Sequence, residues 1–109
     1  MLIDFEAFPL EVREHFKGGK GKYLVRTYSD EKEKVMLGCL PPGSSIGYHT
    51  HESDCETIIC ISGHGTVIME NGSEALLPGQ AHYCPKGKSH SLENNEKEDL
   101  KFYAIVTVQ

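Results

Sequence analysis

A chain of 109 residues can enclose one hydrophobic core but is too short for two. Its 39% hydrophobic and 25% charged residues are ordinary for a globular protein, and its net charge of −5 argues against nucleic acid, whose phosphates demand a basic face. No stretch reaches the roughly 18 apolar residues of a membrane span. The start, Met1-Leu2-Ile3-Asp4-Phe5-Glu6, puts acids where a secretory leader would carry lysines. The expectation is therefore a cytoplasmic protein with neither a nucleic acid nor a membrane as partner.

Phe8, Val12 and Phe16 recur at helical spacing, and Pro9 suits a first turn, so a short helix is expected before Gly18-Gly19. An extended arm packed on a partner is the alternative. From there on, Gly and Pro punctuate the chain every eight to fifteen residues, the rhythm of an antiparallel all-β domain. Residues 23–28 and 34–40 are rich in β-formers, and the polar Ser29-Asp30-Glu31-Lys32 between them predicts a hairpin. Residues 66–70 and 73–77 flank Asn71-Gly72, a pair favoured in type I′ turns because both central residues need positive φ. Residues 100–108 form the last predicted strand, with Phe102, Ala104 and Val106 on one face and Tyr103, Ile105 and Thr107 on the other. Cys39, Cys55, Cys60 and Cys84 show no C-x-x-C spacing and are expected as small buried hydrophobes rather than a disulfide framework or a zinc site.

The chemistry concentrates between residues 43 and 94. His49 and His51 stand two apart, so on a strand both rings point to one face, an arrangement that suits a metal. Glu56 lies an odd number of residues beyond His51. A turn or bulge at Glu52-Ser53-Asp54 is needed to bring its carboxylate to the same interior. His90 follows Pro85-x-Gly87, a turn that fixes its backbone. Alternation from Glu56 turns Ile58, Cys60 and Ser62 inward, which puts Cys60 either in the core or beside the site. His82 is placed either at the mouth of the interior or outward; His64 is expected at the surface and His15 apart from the site. Tyr23, Tyr48, Tyr83 and Tyr103 are candidates for a cavity hydroxyl able to act as a general acid or to orient a substrate.

Gly43-x5-His49-x-His51-x4-Glu56-x6-Gly63, followed by Gly79-x5-Pro85-x-Gly87-x2-His90-x3-Asn94, resembles the two motifs of the cupins, in order and at every specified position. The resemblance implies an all-β, cupin-type antiparallel barrel or jelly roll, with residues 1–109 as a single domain. It also implies that His49, His51, Glu56 and His90 bind one divalent transition metal inside the barrel. Three imidazoles and a carboxylate suit Fe, Mn, Ni, Co or Zn, and four ligands leave positions open on a six-coordinate ion. Small cupins pair through their barrels, so a homodimer is expected. The motif glycines and prolines read as turn residues, and Asn94 as a loop stabiliser. A metal-dependent enzyme on a small organic substrate, of dioxygenase or isomerase/lyase type, is the first functional expectation. The alternative is a non-catalytic binding or sensing module that uses the metal as an anchor. A structural dimer with an incidental metal comes third.

Overall fold

The computed structural model describes residues 1–109 and contains ten strands in two antiparallel sheets. The strands are β1 (Glu11–Glu14), β2 (Lys22–Ser29), β3 (Glu33–Leu40), β4 (Ser45–Thr50), β5 (Asp54–Ser62), β6 (Gly65–Met69), β7 (Gly72–Leu76), β8 (Ala81–Cys84), β9 (Ser89–Glu93) and β10 (Leu100–Val108). One sheet has the order β1-β2-β3-β10-β5-β8, and the other the order β4-β9-β6-β7. No ladder joins them, so the barrel is two facing sheets rather than a closed cylinder.

The strand alternation read from the sequence builds the core. Tyr23 and Val25 from β2, Met36 and Leu40 from β3, and Phe102 and Ala104 from β10 meet Ile46, Val67 and Leu92 from the facing sheet. Tyr23 and Phe102 stack at 5.9 Å between centroids. Gly38 makes room for both rings: a Cβ there would stand 2.7 Å from Phe102 and 2.8 Å from Tyr23.

The predicted hairpin forms as β2 and β3 around Asp30, whose Oδ1 accepts from Lys32 N and Glu33 N at 2.9 and 2.8 Å. Asn94 does stabilise a loop: 1% exposed, it donates to Leu40 O and Glu98 O, both at 2.8 Å. The motif glycines Gly43, Gly63, Gly79 and Gly87 all turn at φ between 78 and 90°.

Two local expectations fail. The N-terminal segment takes the extended alternative and not the helix, packed on its own chain rather than on a partner: 3-10 turns at Phe5–Ala7 and Phe16–Gly18 flank β1, which pairs with β2 through Val12↔Leu24. Its three apolar residues serve different neighbours, Phe8 packing on Tyr28 and Phe16 on Tyr23, so helical spacing has no single face to bury. The β6–β7 hairpin is also not type I′. Met69 pairs with Gly72, the two loop residues are Glu70 and Asn71, and neither has positive φ. Glu70 is held there by its carboxylate, which accepts from Ser89 N at 2.9 Å.

Candidate metal centre

His49 lies on β4, directly opposite His90 on β9. His51 follows the end of β4 as the chain leaves that sheet, and Glu56 projects from β5 in the facing sheet. Of the two expected devices it is the turn and not a bulge that solves the parity problem, and the turn crosses between the sheets. Residues 51–53 carry the chain across the gap, so histidines and glutamate face each other through the interior. A register irregularity does occur earlier, between Ile46 and His49, and it lets both face inward from β4. The β8–β9 turn is tied to the crossing at both ends: His51 N donates to Lys88 O at 3.0 Å, and Gly87 N donates to His51 O at 2.6 Å. Each motif therefore positions the other.

His51 Nε2 stands 3.0 Å from His90 Nε2 and 3.2 Å from Glu56 Oε1, and His90 Nε2 lies 3.0 Å from that same oxygen. Potential ligand atoms of His49, His51, Glu56 and His90 all fall within 4.8 Å of one another. His51, Glu56 and His90 are 7%, 8% and 2% exposed. Imidazole nitrogens and a carboxylate crowded this closely away from water need a proton or a cation among them. Neighbouring ligands on an ion bound at about 2.1 Å stand about 3 Å apart, so the cluster fits a transition metal.

The outward-facing ring nitrogens are engaged. His51 Nδ1 donates to Asp54 Oδ1 at 2.6 Å, and His49 Nδ1 donates to Gly47 O at 2.7 Å. These bonds keep each proton on Nδ1 and direct the Nε2 lone pair inward. The hydrogen bond to Glu56 raises the His51 pKa against the opposing effect of burial, with Asp54 adding to the rise. Burial pushes His49 down, with its Gly47 bond opposing. Burial alone would raise Glu56, but hydrogen bonds from the Nε2 atoms of His51 and His90, which donate when those rings are protonated, outweigh it and hold the carboxyl at about 2.

The cluster opens into a cavity of about 580 Å³ between the sheets. Tyr23, Met36, Ile46, Ile58, Leu92 and Val106 line it, and its charged lining mixes Arg13, Lys17 and Lys34 with Glu11, Glu52, Asp54 and Glu56, Arg13 pairing with Glu11 at 3.3 Å. Of the four tyrosines singled out, only Tyr23 lines this cavity. Its hydroxyl donates to Met36 Sδ at 4.0 Å, and burial raises its pKa far above the ordinary value. Tyr48, Tyr83 and Tyr103 are 51%, 54% and 38% exposed. Cys60 belongs to the core, and all four cysteines are unpaired. His64 and His15 are exposed.

His82, left open between mouth and surface, takes neither position. It is 4% exposed, with Nε2 lying 2.9 Å from His90 Nδ1, behind the cluster rather than in front of it. Asp54 and His82 are the site partners that sequence reasoning missed. Asp54 reads as turn polarity, although its i,i+3 spacing from His51 across that turn is a usable signal. His82 has none, because the intervening Pro85–Gly87 turn breaks the alternation that would relate it to His90.

Two facing antiparallel sheets that converge three histidines and a glutamate on one interior point define a β-barrel protein with a site placed to hold a metal ion. A cupin domain profile matches residues 36–106, and the chain belongs to the cupin family. It is 40% identical over 99 residues to an oxalate-binding protein of Thermotoga maritima, a match covering 84% of this chain and 81% of that protein. Among solved structures, a predicted oxalate decarboxylase from Thermotoga maritima superposes with a TM-score of 0.92 at 27% identity, over 100% of both chains. A cupin 2 conserved barrel domain protein from Salinispora arenicola shares the fold, with a TM-score of 0.76 at 18% identity over 98% of this chain and 87% of that one. No helix is long and apolar enough to cross a membrane.

Proposed function

We propose that the chain is one cupin domain that binds a divalent transition metal (Fe, Mn, Ni, Co or Zn) on His49, His51, Glu56 and His90. It uses this site to capture a small dicarboxylate of the oxalate type. The observation that carries the reading is a buried ligand cluster open to a cavity whose lining includes Lys17, Lys34 and an Arg13 paired with Glu11, beside Glu52 and Asp54. A bound metal supplies Lewis acidity and open positions for carboxylate oxygens. The protein supplies orientation and charge. Burial of His51, Glu56 and His90 strengthens the electrostatic contacts at the cluster. Arg13 and Lys17 both lie against the Phe16 ring, at 5.1 and 5.6 Å from its centroid, which holds two cations beside one part of the cavity wall. The similarity to an oxalate-binding protein points the same way.

Binding is favoured over turnover because the residues around the cluster are already committed. Asp54 accepts from His51, and His82 stands behind His90. The buried Tyr23 hydroxyl and the similarity to a predicted oxalate decarboxylase favour an enzyme. Calorimetric titration of oxalate into metal-loaded protein separates the readings. One ligand per chain is expected, with about tenfold weaker binding in Arg13→Ala/Lys17→Ala, the size of one lost charged hydrogen bond. Absence of heat would sink the dicarboxylate reading. Steady disappearance of oxalate would make the protein an enzyme.

Metal affinity falls as pH drops. The raised pKa of His51 means that its proton competes with metal already above the ordinary histidine value of about 6.5, whereas burial holds His49 below it. Occupancy at limiting metal is expected to decline between about pH 7 and about pH 5. A flat profile would count against three histidine ligands.

We also read the outer face of the six-stranded sheet as a homodimer surface. The register places Leu37, Tyr103, Ile59 and Ala81 in one row across four strands, and Val35, Ile105, Thr57 and Tyr83 in the next. Ile61, Tyr83 and Tyr103 remain 41%, 54% and 38% exposed. Such rows are costly to leave in water. Sedimentation at twice the chain mass is expected, falling to one chain in Tyr103→Arg. A monomeric wild type would refute the pairing.

A further inference from the structure

Each histidine of the cluster has a partner on its outer nitrogen, but the three partners differ in kind. His49 meets a backbone carbonyl and His51 a carboxylate, whereas His90 meets a second histidine. That histidine continues outward: His82 Nδ1 lies 3.0 Å from Glu74 Oε1, on a side chain 52% exposed to solvent. A continuous hydrogen-bonded chain therefore runs from the interior cluster, through one buried imidazole, to a carboxylate at the surface. β8 and β7 supply its two outer members.

Proton counting gives the chain a direction. If His90 offers its Nε2 lone pair to a cation, its own proton sits on Nδ1 and must be donated. The acceptor at 2.9 Å is His82 Nε2, so neutral His82 carries its proton on Nδ1. Glu74, a carboxylate and thus a pure acceptor, receives that proton at 3.0 Å. No other assignment of neutral rings satisfies both bonds while leaving His90 Nε2 bare.

We propose that His82 and Glu74 are outer positioning residues of the metal centre. His82 locks the tautomer and orientation of His90, and Glu74 locks His82 and passes its negative charge inward. This rests on the metal-binding reading above. Outer partners of ligating histidines orient the ring and raise its basicity, and their loss costs about 10- to 100-fold in metal affinity. His82→Leu keeps volume but removes the acceptor, leaving a buried N–H unpaired, and is expected to weaken zinc binding within that range. His82→Gln restores an oxygen near the former Nε2 and is expected to recover most of the loss. Glu74→Gln keeps an acceptor without the charge and is expected to weaken binding several-fold. Because Glu74 is half exposed, this variant also tests the chain should His82→Leu fail to fold.

The decisive measurement is the ¹⁵N spectrum of the histidine rings in the zinc-loaded protein, alongside zinc affinity for each variant. Wild-type His82 is expected as the Nδ1–H tautomer, the one less favoured in free imidazole, and His90 as Nδ1–H with Nε2 bound. A purely packing role would leave tautomers and rescue by Gln unexplained. His82 found as Nε2–H, or zinc affinity unchanged in both His82→Leu and Glu74→Gln, would overturn the proposal. Zinc failing to bind the wild type would instead overturn the metal-binding reading itself.

Discussion

Replacing His90 with alanine is expected to empty the metal site: about one ion per chain in the wild type, and less than about a tenth of that in the variant. The expectation follows from the position of the ring. His90 Nε2 lies 3.0 Å from both His51 Nε2 and Glu56 Oε1, so it contacts two of the other three ligands. Its removal leaves a carboxylate that is 8% exposed with one fewer partner. Losing an outer partner of a ligand already costs about 10- to 100-fold, so losing the ligand itself costs more. His49→Ala is the gentler companion, because His49 is half-buried and its outer bond goes only to a backbone carbonyl. Elemental mass spectrometry of both variants measures the loss, and thermal unfolding with and without chelator shows that the fold remains. A wild type holding metal at a thousandfold excess over Kd gains about 4 kcal/mol, so chelation should lower its midpoint by on the order of 10–20 °C. The variants should not respond to chelator. Unchanged metal content in either would refute the assignment of ligands.

How much of this was legible beforehand depended on the range of the signal. The four residues of the cluster, His49, His51, Glu56 and His90, could be singled out because two motifs fix residue types at set spacings. The β2–β3 hairpin was readable because Asp30 and its polar neighbours act locally. The helical alternative for the N-terminal segment fails, and the extended one holds, because its spacing is local but its partners are not: Phe8 is placed by Tyr28, Val12 by pairing with Leu24, and Phe16 by Tyr23. The Asn71-Gly72 hairpin failed for a similar reason, since the register of β6 on β7 moved the turn one residue back, onto Glu70-Asn71. Glu56 joins the cluster through the turn rather than the bulge expected as alternatives at Glu52-Ser53-Asp54, and because that turn crosses to the facing sheet no strand parity is needed. His82 belongs to a third category. Nothing within eight residues marks it, and only the approach of β8 to β9 across the interior makes it a partner of His90.

Gly47→Ala links fold and site in one substitution, and a large destabilisation is expected from it. A Cβ at Gly47 would stand 2.0 Å from Lys17 O and 2.8 Å from Gly19 N. From the other side, a Cβ at Gly19 would lie 2.1 Å from Ser45 O. The two backbones therefore touch directly, and Ser45 N donates to Lys20 O at 2.8 Å alongside. Backbone atoms cannot rotate away as a flexible side chain can, so the segment must move bodily. That segment already holds His15 and Lys17 at φ 50 and 57°, a left-handed conformation that non-glycine residues keep only when neighbours enforce it. Overpacking typically costs about 1–3 kcal/mol, and a backbone collision belongs at or above the upper end. The site should suffer as well. Gly47 O accepts the His49 Nδ1 proton, and the displaced segment carries Phe16 and Lys17 at the cavity wall, so metal and ligand affinities should each drop about tenfold. Gly43→Ala is the control. Gly43 has φ 78° but nothing within 4 Å of an added Cβ, so it should cost about 1–2 kcal/mol of backbone strain and leave metal binding unchanged. Denaturant unfolding with metal titration of both variants reads the difference. If Gly47→Ala behaves like Gly43→Ala, the Lys17–Gly19 contact does not hold His49 in place, and the N-terminal segment is packing alone.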